Sequence, residues 1–537
     1  MYFVSFLSQI ELLIYKLVNS FITTNTYFLS DNMFSSRKGK QTTFVYGPEI
    51  YEKLVSRDHL LYKINESVDF SFINEECCNL YSENMGRPVT NTPEIMLRSA
   101  IVQHLYDYSD REMEYEARYN IMVKWFIGLN LDDSSYDHSA LGRFRDLLGE
   151  ERWKVIFFSL LRQIENAGYV KGKEYVDATH VIANIAIPGR IDLLRQGVKD
   201  AMKAIQEVDP DLYEELGGGK TANDDKKVYK LSPEEKESKL VELVKKAREI
   251  NQKSESIEGK VSGKNQQLKR ILNENIEENE NKIVKKNKTK DRLVSIVDKD
   301  ARHGAKSDEK KFTGYKVNSI MSEDGFIKNV NATPGNSYDG DILIPLIDEM
   351  IEQGFSASEV IGDTAYGEVD NRKKLMLKGI TVIAPFKKET NKSGLFPQSK
   401  FRIEKHGVTC PAGCRTIVWN HNIKSEKITF FFNKKDCGNC ELKKKCTVQE
   451  SRTIAISEHY ELLKRAREYN KTDDFKEDMK QRAHIEPKQG EMKRYHGLQR
   501  AKYWGLPKMN IQATISAIVV NVKRLVTMNS CGYRWCS

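Results

Sequence analysis

Apolar positions recur at helical spacing through the first third of the chain. Ile95, Leu97, Ile101 and Leu105 stand mostly three or four apart behind Pro93, which predicts a helix from Pro93 to about Tyr106. Ser109-Asp-Arg-Glu112 then has the spacing of a capping box, in which serine and glutamate satisfy each other's backbone N–H. Asp137-His-Ser139 starts a third helix that leads into Arg143 and Arg145. Two helices around a short polar turn fit a helix-turn-helix and equally any helical hairpin.

The period then changes. Residues 175–183 read as a strand. From Arg190 to about Arg292 the chain is rich in Glu, Lys, Asn and Gln. Ile191, Leu194, Val198, Met202 and Ile205 form one helical stripe, and Leu240, Leu243, Val244, Ala247 and Ile250 form a second behind the start signal Ser232-Pro-Glu-Glu235. Gly217-Gly-Gly219 breaks the chain between them, so an antiparallel helical pair is expected. The basic run Lys282 to Lys290 is a solvated helix end or a DNA contact. Strand-like segments return at Tyr315–Met321, Phe326–Asn331, Val360–Asp363 and Ile380–Pro385, with helices over 341–353 and after Asp370. That order predicts an α/β sheet that begins with the strand at 175–183. Ile511, Ile515, Ile518, Val519 and Val522 read as a core helix near the end.

Composition narrows the class. The 537 residues are 39% hydrophobic and 30% charged, enough apolar material for a core under a polar surface. A formal net charge of +9 points weakly to a polyanion partner. Residues 3–22 are apolar but interrupted by Gln9, Glu11 and Lys16, which argues against a signal peptide and a membrane span. Residues 1–45 are therefore expected to lie outside the fold, with Met33 as an alternative start. Of nine cysteines, Cys77 and Cys78 read as core and Cys531 and Cys536 as a loose tail. Cys410, Cys414, Cys437, Cys440 and Cys446 crowd together, which favours metal binding in a reducing compartment over disulfides.

Candidate chemistry rests on carboxylates. Asp177 lies in Tyr-Val-Asp-Ala-Thr-His-Val and Asp363 in Val-Ile-Gly-Asp-Thr-Ala-Tyr-Gly, both on apolar strand-like stretches. Arg482, Glu486 and Lys493 follow near the end, with three and six residues between them. Two strand-borne aspartates and a glutamate suit two hard divalent cations and phosphodiester cleavage. Pro487 belongs in the first turn of a helix, which sets Glu486 at its positive end and Lys493 two turns along. Arg482 and Lys493 contact phosphate or form surface salt bridges, and His180 is a polar neighbour of Asp177. Cys410, Cys437, Cys440 and Cys446 suffice for a tetrahedral Zn²⁺, with Cys414 as alternate and His406 and His421 as substitutes. Lys443 to Lys445 either bind DNA backbone or form a solvated turn. Arg500, Lys502, Tyr503 and Trp504 either touch DNA or pack inside.

Together these phrases resemble the DDE transposases of bacterial insertion sequences, which share the RNase H-like fold of retroviral integrases. The last motif is similar to Tyr-x2-Arg-x3-Glu-x6-Lys, with Met479 in the tyrosine's place. Phe312-Thr-Gly-Tyr-Lys316, Thr333-Pro-Gly-Asn336 and His496-Gly-Leu also look like the family. Asp58-His-Leu-Leu, Gly86-Arg-Pro and Arg143-Phe-Arg are similar to its amino-terminal domain, and the resemblance covers about residues 50–525. It implies catalysis by Asp177, Asp363 and Glu486 with two Mg²⁺ or Mn²⁺ ions. Asp177 would bridge both ions, Asp363 share one and Glu486 complete the second. Water would cut DNA at terminal inverted repeats and free a 3′-hydroxyl that attacks target DNA.

The implied DNA contacts are Arg482, Lys493, Arg143, Arg145 and Lys502. The implied partners are double-stranded DNA and further copies of the chain, as a homodimer or multimer on paired ends, in the bacterial cytoplasm at the nucleoid. No membrane is involved. The expected organisation is a helical DNA-binding domain at 46–168 and an RNase H-like catalytic domain from 169–189, 295–395 and 475–528. A charged helical insertion at 190–294 and a Cys-rich, zinc-binding insertion at 396–455 interrupt it. A catalytically silent DNA-binding protein and a simple metal-dependent nuclease are the competing readings.

Overall fold

The computed structural model describes residues 47–530 except 82–88, 219–231, 280–281, 287–288, 290, 307–308, 388–393 and 405–406. The expected tail with Met33, the Gly86-Arg-Pro phrase, Gly219, Lys288 and Lys290, His406, Cys531 and Cys536 lie outside the described residues. The chain divides into two compact units, one of residues up to 171, 178–337 and 486 onward, the other of 172–177 and 338–485.

In the first unit, local signals start the helices where expected. Thr92 Oγ1 accepts from Ile95 N at 3.4 Å, and Pro93–Leu105 follows. Ser109 and Glu112 form the reciprocal capping box, at 2.7 and 3.2 Å, ahead of the helix Asp110–Tyr119. The helix Ser139–Asn166 is kinked at Gly149, whose φ is 65°. Leu506–Ser530 is long and apolar enough to cross a membrane, yet Ile511, Ile515, Ile518, Val519 and Val522 are buried in this unit. It packs on Ser139–Asn166, where each buried aliphatic side chain contributes about 1.5–3 kcal/mol.

Strand β1 is Glu174–Ile182, and its second half belongs to this unit. The charged insertion ends in a hairpin of β2, Ile276–Asn279, and β3, Lys282–Lys285. Arg302–Ala305 (β4), Lys311–Ser322 (β5) and Ile327–Pro334 (β6) then pair antiparallel in sequence. The insertion differs from the expected pair. Three long helices, Arg190–Val208, Pro233–Lys253 and Lys260–Asn275, surround their own core of Val198, Leu243, Val244, Leu268 and Ile271. The third went unseen because its buried face includes Asn265, which donates to Ser254 Oγ at 2.8 Å. The start of the basic run is strand β3, not a helix end.

In the second unit the first half of β1 pairs parallel with β7, Glu359–Ile361, which pairs parallel with β8, Thr381–Ile383. Parallel neighbours need a crossover, supplied for β7 and β8 by the helix Val369–Leu377. A 3-10 turn, Asp339–Ile342, runs into the helix Leu343–Glu352. The Cys-rich segment carries two three-stranded antiparallel sheets, 402–404/407–409/415–416 and 419–422/427–431/453–457. Val408, Phe430, Phe432, Ile454 and Ile456 form its core, and the alternation of Ile428 with Phe430 and of Ile454 with Ile456 is the strand signal the sequence reading passed over. The unit ends with the helices Tyr460–Tyr469 and Asp473–Arg482.

Candidate active site and thiol cluster

Register brings two of the candidate carboxylates together. Tyr175 pairs with Ile361; Asp177, within β1, and Asp363, two residues past the end of β7, each lie two residues beyond that pair. Both therefore lie level with the carboxyl end of β7, the kind of position where open α/β sheets place ligands. Asp363 opens a turn: Ala365 N donates to its Oδ1 at 2.8 Å and Tyr366 N to its carbonyl at 3.2 Å. Gly362 is required there, because a Cβ would stand 2.7 Å from the Tyr366 ring and 2.8 Å from Val176 Cγ1. The Tyr366 ring thus lodges against the residues preceding both aspartates. It is 1% exposed, and among the described residues its hydroxyl has no hydrogen-bond partner.

The helix Asp473–Arg482 is fastened along β1. Lys173 Nζ lies 2.7 Å from Asp478 Oδ1, and Tyr175 donates to Gln481 Oε1 at 3.1 Å. Arg482 Nη1 lies 3.4 Å from Asp177 Oδ1. Alternate residues of a strand share a face, so positions 175 and 177 of β1 meet one helix together, with Lys173 just before the strand. The Arg482–Asp177 contact is an ion pair without a hydrogen bond, and Arg482 Nε and Nη1 are buried with none.

Glu486 belongs to the first unit, exposed in the first turn of the helix Ile485–Tyr495, with Pro487 beside it. That helix is tied to β5 by Gln489 Nε2, which donates to Ser319 Oγ at 3.0 Å. Lys493 Nζ donates to the His180 carbonyl at 2.8 Å. Burial, then Lys306, lowers the Lys493 pKa, and burial, then Lys493, lowers that of His180.

The candidate DNA contacts separate. Arg143 is exposed on its helix. Arg145 is 4% exposed and donates to both carboxylate oxygens of Asp110 at 2.9 Å and to Gln103 Oε1 at 3.0 Å, with Tyr503 4.7 Å beneath it. Residues two apart point to different sides of a helix, so the Arg-Phe-Arg phrase offers one surface cation and one buried strut. Lys502 is paired with Asp107 at 2.7 Å. Tyr503 packs under Arg145, while Trp504 stays 54% exposed and donates to the Asn184 carbonyl at 2.9 Å.

Cys410, Cys414, Cys437, Cys440 and Cys446 line one cavity with Asp436, Lys443 and Arg452, and all five are free thiols. Cys410 N donates to the Cys414 carbonyl at 2.9 Å, which closes the first knuckle. Burial raises the Cys446 pKa, as do Cys437, Cys410 and Cys440, while Arg452 opposes them. Burial and Cys410 likewise raise Cys414. A cation in their midst would relieve that mutual penalty. Among the described residues, one His/Cys/Asp/Glu group has its ligand atoms all within 4.8 Å: Glu114, Asp137 and His138, at the surface of the first unit. The thiols stand wider apart, so an ion would draw them inward. His421 is engaged elsewhere, 2.9 Å from Glu458 Oε2.

Two family models match the chain. One, described as Transposase domain (DUF772), matches residues 49–147, the first helices. The other, described as Transposase DDE domain, matches residues 409–526, from the first knuckle through Arg482, Glu486 and Lys493 into the last helix. Together the two matches support an insertion-sequence DDE transposase. No curated protein and no solved structure matches it.

The DDE match of this transposase leaves Asp177 and Asp363 outside its span. Their candidacy rests on sequence phrases and strand register. Asp339 and Tyr366 went unremarked as site residues in the sequence. Tyr366 was readable as the fourth residue of Asp-Thr-Ala-Tyr, while Asp339 is brought in only by the fold.

Proposed function

We propose that this transposase binds the terminal inverted repeats of its insertion sequence and performs DNA cleavage and strand transfer at one carboxylate site, in an RNase H-like catalytic domain. The observation that carries the reading is the matched offset of Asp177 and Asp363 on neighbouring parallel strands. The DDE family match, which covers Glu486, supports the third carboxylate.

The donor set fits Mg²⁺ or Mn²⁺: carboxylate oxygens, with an unpartnered hydroxyl buried beside them. When bound, two such ions would activate a water, neutralise the phosphate and stabilise the leaving oxygen. Asp177 and Asp363 would hold such ions, with Glu486 as the third carboxylate that the DDE family match supports. Arg482 keeps the Asp177 carboxylate aimed. The freed 3′-hydroxyl would then attack a target phosphodiester at the same carboxylates, forming a new phosphodiester as the target strand's own 3′-oxygen leaves. The helical region 46–168 recognises the ends with Arg143 on its surface, and copies of the chain act together on paired ends in the cytoplasm. Arg482 and Lys493 lie toward the phosphate. The segment 396–455 holds a structural Zn²⁺ through Cys410, Cys437, Cys440 and Cys446, with Cys414 as alternate.

The test is strand cleavage of a labelled duplex carrying the element's end, with Mg²⁺, by wild type and by Asp177→Ala, Asp363→Ala and Glu486→Ala. Nicking at the end, lost in each variant while DNA binding persists, supports the reading. Tight end binding without nicking by the wild type would replace it with a silent DNA-binding protein.

A further inference from the structure

Asp339 heads the 3-10 turn Asp339–Ile342, and that turn is pressed against the loop that follows Asp363. A Cβ on Gly340 would stand 2.4 Å from the Ala365 carbonyl oxygen and 2.7 Å from the Tyr338 ring, so the two backbones touch. Asn371 Nδ2 donates to the carbonyls of both Gly340, at 2.8 Å, and Tyr366, at 3.2 Å. Tyr338 adds a bond from its hydroxyl to the Ala365 carbonyl at 3.3 Å. These ties fix Asp339 beside the Asp363 turn, not on a free loop.

We propose that Asp339 is a further cation-binding carboxylate beside Asp177 and Asp363, and that the Tyr366 hydroxyl is the positioning group beneath them. This rests on the reading of Asp177 and Asp363 as cation ligands. Three carboxylates alone make no site. The independent sign is Tyr366: a side chain 1% exposed, wedged against Gly362 and Val176, whose hydroxyl reaches no partner. Buried hydroxyls are nearly always bonded, so an orphan points to a group absent from the resting fold. Asp339, Asp177 and Asp363 all act on its electrostatics, so the three carboxylates share its surroundings. Among the described residues the hydroxyl is a donor without an acceptor there. Bonded to one of them, or to a water they hold, it would fix their orientation when a cation draws them together.

The experiment measures Mn²⁺ binding to the full chain by the loss of the free-ion electron paramagnetic resonance signal. It compares Asp339→Asn, Tyr366→Phe, Asp177→Asn and Asp363→Asn with wild type, and records a melting curve for each. Asp339→Asn and Tyr366→Phe are expected to weaken Mn²⁺ binding about tenfold or more, the usual cost of a lost ligand support, with melting unchanged. Loss of binding in Asp177→Asn and Asp363→Asn but wild-type affinity in Asp339→Asn and Tyr366→Phe overturns this inference and leaves the site intact. Wild-type affinity in all four overturns the underlying reading as well. Should Asp339→Asn melt early, Asp339→Glu keeps the charge but displaces the oxygens, and an unchanged affinity there also overturns the proposal.

Discussion

Arg482 Nη1 stands 3.4 Å from Asp177 Oδ1, and the pair is mostly buried, at 17% and 20% side-chain exposure. The cation is supplied by the last residue of a helix that is held at two further points, by Tyr175 of β1 and by Lys173 just before that strand. Replacing it removes charge from a place where water cannot fully compensate. Arg482→Gln is expected to destabilise the fold by about 1–2 kcal/mol, between the values for exposed and buried pairs. Urea unfolding measures that, and end nicking by the same variant should fall at least about tenfold, one interaction of about 1.4 kcal/mol at the transition state. Unchanged nicking would remove Arg482 from the site.

Gly362→Ala places a methyl group where the Tyr366 ring and Val176 already lie. Overpacking of this kind costs about 1–3 kcal/mol. The melting midpoint should drop, and nicking should drop with it, because the ring can yield only by moving Val176 beside Asp177 or the turn that carries Asp363.

Arg145 and Arg143 should behave oppositely. Arg145→Ala leaves Asp110 without its buried partner and is expected to cost about 2–4 kcal/mol by denaturant titration. Arg143→Ala should leave stability unchanged and weaken end binding in a mobility-shift assay. Equal stability losses would contradict the surface placement of Arg143.

Glu491 gives an acid-sensitive element in the first unit. Burial alone would raise its pKa, but His496, Lys488 and Lys523 outweigh burial and hold it well below the usual carboxylate range. A depressed folded pKa contributes stability that is complete above the unfolded value of about 4.3 and is lost as pH falls below it. Melting midpoints should therefore decline from about pH 5 downward, and Glu491→Gln should flatten that limb while lowering the plateau at neutral pH.

The thiol cluster predicts about one Zn²⁺ per chain by elemental analysis, since four thiolates complete one tetrahedral site. Cys440→Ser should lose the metal and melt earlier, and chelation of the wild type should give the same early transition. Full zinc content in Cys440→Ser would remove that residue from the ligand set.

What was legible in the sequence is what depends on neighbours along the chain. Both capping boxes, at Ser109 and Ser232, form as their spacing requires, and the apolar stripe from Ile511 to Val522 is buried. The strand carrying Asp177 and the one that ends two residues before Asp363 also sit where apolar runs placed them. The failures share a cause. Arg145 looked like a surface cation because nothing local says that Asp110 and Tyr503 will enclose it. The third helix of the insertion buries Asn265, so its stripe reads as polar. Asp339 becomes a neighbour of Asp363 only through a glycine-to-carbonyl contact between two loops.

The ladder between β1 and the helix Asp473–Arg482 joins residues as much as 306 positions apart, as in Tyr175 with Gln481. On the ribosome, Asp177 emerges long before Arg482, so for most of its synthesis the nascent chain carries the carboxylate without the cation that aims it. A message cut short upstream of that helix yields a chain whose Asp177 carboxylate never meets its cation.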